Sequence, residues 1–127
     1  MKYLALFAVL VALNFSCKSI YRKENVSQLP PEQYFEKMKN TPSFQILDVR
    51  TKMEYKKQHL DNAFSASLLS FRFKKKVKHL DRGTPVFIYC ETAHRSPIAA
   101  RKLRRMGFVD ITDLKKGYKP YRKSLKR

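Results

Sequence analysis

Two kinds of apolar pattern alternate along the chain. Short runs of β-branched and aromatic residues at 44–49 and 86–89 predict buried strands. Apolar residues at helical spacing lie between these runs and predict helices. The predicted helices cover 31–40, 51–58, 68–80 and 96–106, and weaker strands are predicted at 63–66 and 108–111. Because strands alternate with helices, we expect an α/β domain in which a parallel sheet is covered by helices on both faces.

Individual residues refine these elements. Thr51 is placed to cap the second helix, and Gly107 to end the fourth. The exposed side of the 68–80 helix is expected to be very basic. The residues of the fourth helix expected to face the core are Ile98, Ala99 and Leu103.

The first residues have a different pattern. Lys2 precedes thirteen residues without a charge, Tyr3 to Phe15, which is too short for a membrane-spanning helix of ~20 residues but fits a signal peptide. The run stops at Ser16, Cys17 and Lys18, which resembles a bacterial lipoprotein signal, in which the cysteine is lipidated. An ordinary cleaved signal and an uncleaved anchor are the alternatives.

These features divide the chain into three parts. Residues 1–16 are predicted to be a signal peptide, and 17–28 a polar tether without a fold. Residues 29–127 are predicted to form one domain. The protein is therefore expected to be exported, and to be either periplasmic or attached to a membrane through a lipidated Cys17.

Composition adds a strong positive charge to this outline. The 127 residues include 28 basic and 10 acidic ones, a formal net charge of +18, with basic runs at 74–76, 101–105 and 115–127. Such runs are usually solvated surfaces, but their number here indicates steering of small anionic donors or adhesion to anionic lipid. Nucleic acid is not the expected partner, because the signal directs the chain out of the cytoplasm. Two cysteines cannot form a disulfide framework, and without zinc-ligand spacing no metal or cofactor is expected.

The segment from Cys90 to Ser96 carries the candidate chemistry. It lies between a predicted buried strand and the start of a helix, where ligands of open α/β sheets bind. Backbone N–H groups of the loop and the helix N-terminus can hold an anion there. These groups favour the thiolate form of Cys90, and Arg95 adds a positive charge. The alternative is that Cys90 is a buried cysteine at a strand end with no chemistry.

Three blocks of residues resemble the single-domain rhodanese family of sulfurtransferases. The central block is Tyr-Cys-Glu-Thr-Ala-His-Arg-Ser at 89–96, followed by Ala99, Ala100, Leu103, Gly107 and Phe108. The upstream block is Ile46 to Arg50, Glu54, Tyr55, His59, Leu60, Asn62 and Ala63. The downstream block is Leu114 to Tyr118, with Tyr121 where the family usually has Trp. The similarity spans about residues 30–125 in the family's order.

The resemblance implies a parallel rhodanese-like sheet and a mechanism. The Cys90 thiolate would take a sulfur atom from a small anionic donor, thiosulfate or a persulfide, and pass it to a thiol acceptor. Residues 91–95 (Glu91, Thr92, Ala93, His94 and Arg95) would bind the sulfur through their amides. Asp48 and Arg50 lie at a strand end, where they would either support the site by orienting it or form a structural hydrogen bond or ion pair, which is the favoured alternative.

Two other functions remain open. Related phosphatases and arsenate reductases have five residues between cysteine and arginine, whereas four separate Cys90 from Arg95, which favours a single sulfur atom over a tetrahedral oxyanion. A rhodanese-like binding module without turnover is the second alternative, since Ala93 replaces the usual Gly and Glu91 places an acid beside Cys90. The sequence does not specify donor, acceptor or oligomeric state.

The two loop histidines and one turn residue have simpler interpretations. His59 is expected to hold a turn, and His94 either meets the donor or faces solvent. Asn62 stands where the family has a turn glycine, and asparagine tolerates the left-handed conformation that such a turn needs.

Overall fold

A computed structural model describes residues 25–124, which form a five-stranded sheet with five helices. The strands are β1 (Asn25–Leu29), β2 (Gln45–Asp48), β3 (Phe64–Ser65), β4 (Val86–Tyr89) and β5 (Asp110–Leu114). The helices are α1 (Pro31–Lys39), α2 (Lys52–Lys57), α3 (Phe73–Val77), α4 (Ser96–Arg105) and α5 (Tyr118–Ser124). All strand pairs are parallel, in the order β1-β5-β4-β2-β3, which confirms the predicted α/β class.

The central strand β4 divides the core in two. Side chains alternate across a strand, so Val86 and Ile88 face one cluster while Phe87 and Tyr89 face the other. The first cluster is covered by α3 and α4, and the second by α1 and α5. β4 is buried on both faces, so a ligand can approach it only from the end of the strand. Cys90 follows directly after that carboxyl end.

The predicted tether is wrong for residues 25–28, which belong to β1. This strand pairs in parallel with all five residues of β5, from Asn25 opposite Asp110 to Leu29 opposite Leu114. Its apolar content is low, and Val26 remains 45% exposed, so hydrophobic patterning gave no signal for it. Backbone pairing with β5 and a side-chain hydrogen bond from Gln28 to Asp113 hold it instead. The signal peptide, Cys17 and the first part of the tether lie outside the described residues.

The predicted 68–80 helix is largely replaced by turns, and only Phe73–Val77 is helical. The Ser70 amide donates to the carbonyl of Ser67 at 3.1 Å, and the Ser70 hydroxyl accepts the amide of Arg72 at 3.1 Å. A serine side chain that bonds nearby backbone in this way competes with helix formation.

Two smaller corrections concern the C-terminal half. β5 runs over Asp110–Leu114 and not 108–111, because the chain leaves α4 through Gly107 (φ 92°) and Phe108, whose amide still bonds Leu103. Ile98 is 43% exposed, and Ala100 lies in the core beside Ala99 and Leu103. The predictions for Thr51 and Asn62 are confirmed. Thr51 caps α2 and forms a reciprocal capping box with Glu54, and Asn62 has a left-handed backbone with φ 61°.

Candidate active site

Cys90 lies at the carboxyl end of β4 and is fully buried. Its thiol is within hydrogen-bond distance of the Ser96 hydroxyl, with Sγ and Oγ 3.4 Å apart. Ser96 is the first residue of α4 and is also fully buried. The thiol therefore faces the N-terminal end of a helix, where the helix dipole favours negative charge.

The loop after Cys90 is held from behind by the start of α5. The Tyr118 amide donates to the Cys90 carbonyl at 2.8 Å, and the Lys119 amide donates to the Glu91 carbonyl at 3.0 Å. In a planar trans peptide the N–H points opposite to the C=O. The amides of Glu91 and Thr92 therefore point away from α5. Within residues 25–124, none of the amides of 91–95 donates to a backbone carbonyl. These N–H groups are available to a bound anion.

Gly117 makes this close approach possible. Its φ is 76°, and a Cβ built on it would lie 2.5 Å from the Glu91 carbonyl oxygen. Any side chain here would push the loop away from α5. In the sequence, Gly117 is recognisable only as a member of the downstream block, and its contact with the Cys90 loop is visible only in the structure.

Ala93 occupies a left-handed conformation, with φ 61°. The sequence anticipates this strain, because the family usually has glycine at this position. An L-residue other than glycine costs ~1 kcal/mol there. Ala93 thus keeps the backbone conformation of a glycine in spite of that cost.

The charge of Arg95 is paired, although the sequence suggests a free cation beside the thiol. Its two terminal nitrogens donate to the two carboxylate oxygens of Glu54, at 2.8 and 2.7 Å. The hydrogen bonds from Arg95 lower the pKa of Glu54 to about 2, and the amide and hydroxyl of Thr51 add to that effect against partial burial. Glu54 thus ties the Cys90 loop to the start of α2, a role that sequence reasoning missed although Glu54 belongs to the upstream block.

Arg50 is the centre of a second, buried ion-pair network. Its guanidinium binds both carboxylate oxygens of Asp48 at 2.7–3.1 Å and the Glu91 carboxylate at 2.9 Å, with neither Arg50 nor Asp48 exposed. It also lies 4.6 Å from the centroid of the Tyr118 ring. Burial lowers the pKa of Arg50, but the hydrogen bonds and charge of Asp48, followed by Glu91, raise it above its ordinary value. This is the ion pair expected for Asp48 and Arg50.

Glu91 does not face solvent, and its negative charge is balanced. Its carboxylate binds Arg50 through one oxygen and Arg122 through the other, at 2.9 and 2.8 Å, with 16% of the side chain exposed. Two guanidiniums share one carboxylate, so the expected repulsion between Glu91 and a Cys90 thiolate is reduced.

The remaining loop side chains lie on the outer rim. Thr92 and His94 are exposed and lie 3.0 Å apart, hydroxyl oxygen to Nδ1. His59 is 2.8 Å from the Tyr55 carbonyl and stacks on the Tyr55 ring, so it holds a turn as expected.

Asp113 is a buried acid that interacts with Ser96, and the sequence gives no reason to select it. It is 3% exposed; Gln28 donates to its Oδ2, and its Oδ1 has no hydrogen-bond partner in the described part of the chain. Burial raises the pKa of the Asp113 carboxyl, while Ser96 and Gln28 act in the opposite direction.

The comparison with protein families matches residues 31–124 to the rhodanese-like domain. That match covers well over half of the chain, which therefore belongs to the rhodanese-like domain family. The Cys90 loop lies within the matched residues.

The curated relatives include proteins named for sulfur carriage and for tRNA modification. The chain is 28% identical over 104 residues to a "Putative sulfur carrier protein" of Bacillus subtilis, covering 80% of this chain and 55% of that protein. It is 34% identical over 112 residues to a "tRNA sulfurtransferase" of Desulfurococcus amylolyticus, covering 84% and 22%. It is 29% identical over 118 residues to a "tRNA uridine(34) hydroxylase" of Chlamydia muridarum, covering 88% and 35%. The chain thus spans about half or less of these relatives.

Solved structures share the fold. A rhodanese-related protein of Thermoplasma volcanium superposes with a TM-score of 0.66 at 21% identity, over 77% of this chain and 92% of that one. A rhodanese-like domain protein of Staphylococcus aureus gives a TM-score of 0.63 at 20% identity, over 72% and 87%. Among the residues described, no helix is long and apolar enough to cross a membrane, and no group of acidic, histidine or cysteine side chains is arranged to hold a metal ion.

Proposed function

We propose that the protein is a sulfurtransferase that carries a sulfane sulfur as a persulfide on Cys90. The observation that carries this proposal is the position of the Cys90 thiol between a helix N-terminus and loop amides without backbone acceptors. The four-residue spacing to Arg95 makes a small loop, which suits one sulfur atom better than a phosphate or arsenate group.

The reaction divides into two displacements at sulfur. The Cys90 thiolate attacks the outer sulfur of the donor, a new S–S bond forms, and sulfite or a thiolate leaves with the electron pair of the broken bond. The loop amides stabilise the negative charge on the terminal sulfur of the persulfide. An acceptor thiolate then attacks that sulfur, and Cys90 leaves as the thiolate.

The ion pairs around the loop favour a persulfide donor over thiosulfate. Arg95 is balanced by Glu54, and Arg50 and Arg122 share Glu91, so these three guanidiniums are not free to bind a dianion. A singly charged persulfide needs less positive charge in the site than the thiosulfate dianion does. The large positive net charge of the chain raises the association rate of either donor and does not distinguish between the bound donors.

Steady-state turnover tests this function. The full chain should transfer sulfur from a low-molecular-weight persulfide to a thiol with ping-pong kinetics and a higher kcat/KM than with thiosulfate. Cys90→Ser should abolish turnover, and Cys17→Ser should leave it unchanged, which serves as the matched control. Equal turnover by Cys90→Ser contradicts the proposal.

A binding module without turnover is the second candidate, and the strained Ala93 favours it. If the strain displaces the loop amides, Cys90 accepts no sulfur from either donor while the fold stays intact. Absence of turnover in wild type with a normal unfolding curve, together with turnover in Ala93→Gly, supports this candidate.

We further propose that the domain acts outside the cytoplasm, held at a membrane by lipidated Cys17. The sequence pattern of residues 1–18 supports this proposal. Metabolic labelling with a fatty-acid analogue should mark the wild type and not Cys17→Ala. Label retained by Cys17→Ala contradicts the lipidation site.

A further inference from the structure

The positive charge of the protein is concentrated on one side of the sheet. We define the α3–α4 face as residues 69–78, the turn and helix α3, together with residues 96–105 of helix α4. These twenty positions carry nine basic and no acidic residues, which is half of the net charge of +18. On the opposite side, the sixteen residues of α1 and α5 carry five basic and two acidic residues, a net charge of +3.

The two segments form one continuous surface. Lys102 of α4 lies over the ring of Phe73 in α3, with Nζ 5.8 Å from the ring centroid. A shallow hollow of about 330 Å³ joins the turn before α3 to α4, and Leu69, Phe71, Lys74 and Lys102 are among its lining residues. Both helices bury their other sides in the same core cluster.

Apolar side chains project from this basic surface. Phe71 is fully exposed, Leu69 is 69% exposed and Ile98 is 43% exposed. The structure buries Phe73 and Leu68 beside them, so the exposure is specific to the outward positions of the turn. Exposed aromatic and aliphatic residues surrounded by Lys and Arg are the composition of surfaces that bind at a membrane interface.

We propose that the α3–α4 face lies on an anionic lipid bilayer. Phe71 and Leu69 enter the headgroup region, and the surrounding lysines and arginines bind the lipid phosphates. The charge of the face is complementary to that of anionic lipid, and each cationic side chain near such a surface adds about fivefold to the binding constant. This inference does not depend on the chemistry of Cys90.

The chain that precedes the described residues can reach the same bilayer. Seven residues, 18–24, separate Cys17 from β1, and fully extended they span at most about 25 Å. β1 pairs with β5, against which α4 packs, so one helix layer of roughly 10 Å lies between the sheet and the α3–α4 face. A bilayer on this face is therefore within reach of the uncharged run Tyr3 to Phe15. The Cys90 loop, at the carboxyl edge of the sheet, stays open to the side.

Tryptophan fluorescence tests the orientation directly, because the chain has no tryptophan. Phe71→Trp places a probe at the proposed contact. Phe44→Trp is the control, since Phe44 is 37% exposed and packs edge-on against Phe87, in the core of the opposite side. Full-length variants are mixed with vesicles of phosphatidylcholine, with or without phosphatidylglycerol.

The Phe71→Trp emission should shift to the blue with the anionic vesicles, less with the neutral ones, and return at high salt. The Phe44→Trp emission should not respond to the lipid charge. Any anchoring by the N-terminal run acts in both variants and both lipids, so the comparison cancels it. Equal responses at the two positions, or no dependence on lipid charge, overturn the proposal.

A pair of charge-matched variants separates this face from total charge. Lys74→Glu with Lys102→Glu should weaken binding to the anionic vesicles at least about twentyfold. Lys119→Glu with Lys123→Glu, on α5 at the opposite side, changes the net charge equally and should have much less effect. Equal losses in the two pairs overturn the proposal. A shift of Phe71→Trp with RNA or an acidic protein, and not with anionic vesicles, assigns the face to that partner instead.

Discussion

The Arg95 guanidinium and the Glu54 carboxylate are joined by two parallel hydrogen bonds of 2.8 and 2.7 Å. Glu54 also accepts the amide and hydroxyl of Thr51, so one carboxylate both caps α2 and fixes the end of the Cys90 loop. The charged side chains that position the loop are paired with each other. The loop's backbone amides, which donate to no backbone carbonyl in the described part of the chain, are the groups left to bind a ligand.

The Glu54 ion pair should make stability depend on acid pH. Its folded pKa of about 2 lies below the ordinary value of 4.5, so the stabilisation is complete above the ordinary value and is lost as the pH falls towards 2. Urea unfolding of Glu54→Gln should show a smaller loss of unfolding free energy between pH 6 and pH 3 than wild type. Glu36→Gln, at an exposed position of α1, is the control and should follow wild type. Identical pH dependence in all three proteins contradicts the assignment.

Removal of Arg50 should be among the most damaging changes to the fold. Arg50→Met leaves the buried Asp48 carboxylate without its partner and takes one of the two cations from Glu91. Loss of one partner of a buried pair costs ~3–5 kcal/mol in unfolding free energy. Arg122→Met, which removes a more exposed partner of Glu91, should cost less than ~1 kcal/mol. Urea unfolding measures both, and similar costs contradict the central role of Arg50.

Ala93→Gly should relieve the strained loop. Glycine adopts φ 61° without the Cβ penalty, although it gains entropy in the unfolded chain, so the net change in stability should lie between zero and a gain of about 1 kcal/mol. Sulfur transfer should be at least as fast as in wild type. Ala99→Gly in the buried part of α4 is the contrast and should destabilise by about 1 kcal/mol or more. A loss of stability in Ala93→Gly comparable to Ala99→Gly shows that the strain is absent.

Gly107 and Gly117 both have left-handed backbones, but only Gly117 is also in close contact with other backbone atoms. A Cβ at Gly107 meets only the flexible Arg82 side chain at 3.7 Å, whereas a Cβ at Gly117 meets the backbone of Glu91 at 2.5 Å. Gly107→Ala should cost ~1–2 kcal/mol through backbone strain and leave sulfur transfer intact. Gly117→Ala should cost more and also slow transfer, because the loop must move. Equal effects on turnover indicate that the α5 contact does not position the loop.

Sequence patterning predicts those parts of the fold that bury apolar side chains. The β4 strand, the α4 helix and the position of Cys90 between them follow from periodicity and from the rule that sites lie at the carboxyl ends of parallel strands. β1 escapes prediction because its stabilisation comes from backbone pairing with β5, a contact between residues about 85 positions apart. The turn at 67–72 escapes because a serine hydroxyl bond replaces helical bonds.

The same limit applies to the site. Arg95 is recognisable as a cation beside the cysteine, but its neutralisation by Glu54 depends on how α2 meets the loop. Glu91 looks like an unfavourable acid in sequence, whereas in the fold it links Arg50 to Arg122. Residue types identify which groups carry charge, and only tertiary contacts show which charges are balanced.

Mass spectrometry of the cysteine peptides shows whether Cys90 carries the transferred sulfur. After incubation of the reduced full chain with a persulfide donor, the peptide containing Cys90 should gain the mass of one sulfur atom. It should lose that sulfur when a thiol acceptor is added. We expect this cycle in wild type and Cys17→Ser, and no gain at residue 90 in Cys90→Ser. A Cys90 peptide that stays unmodified while transfer proceeds would contradict it.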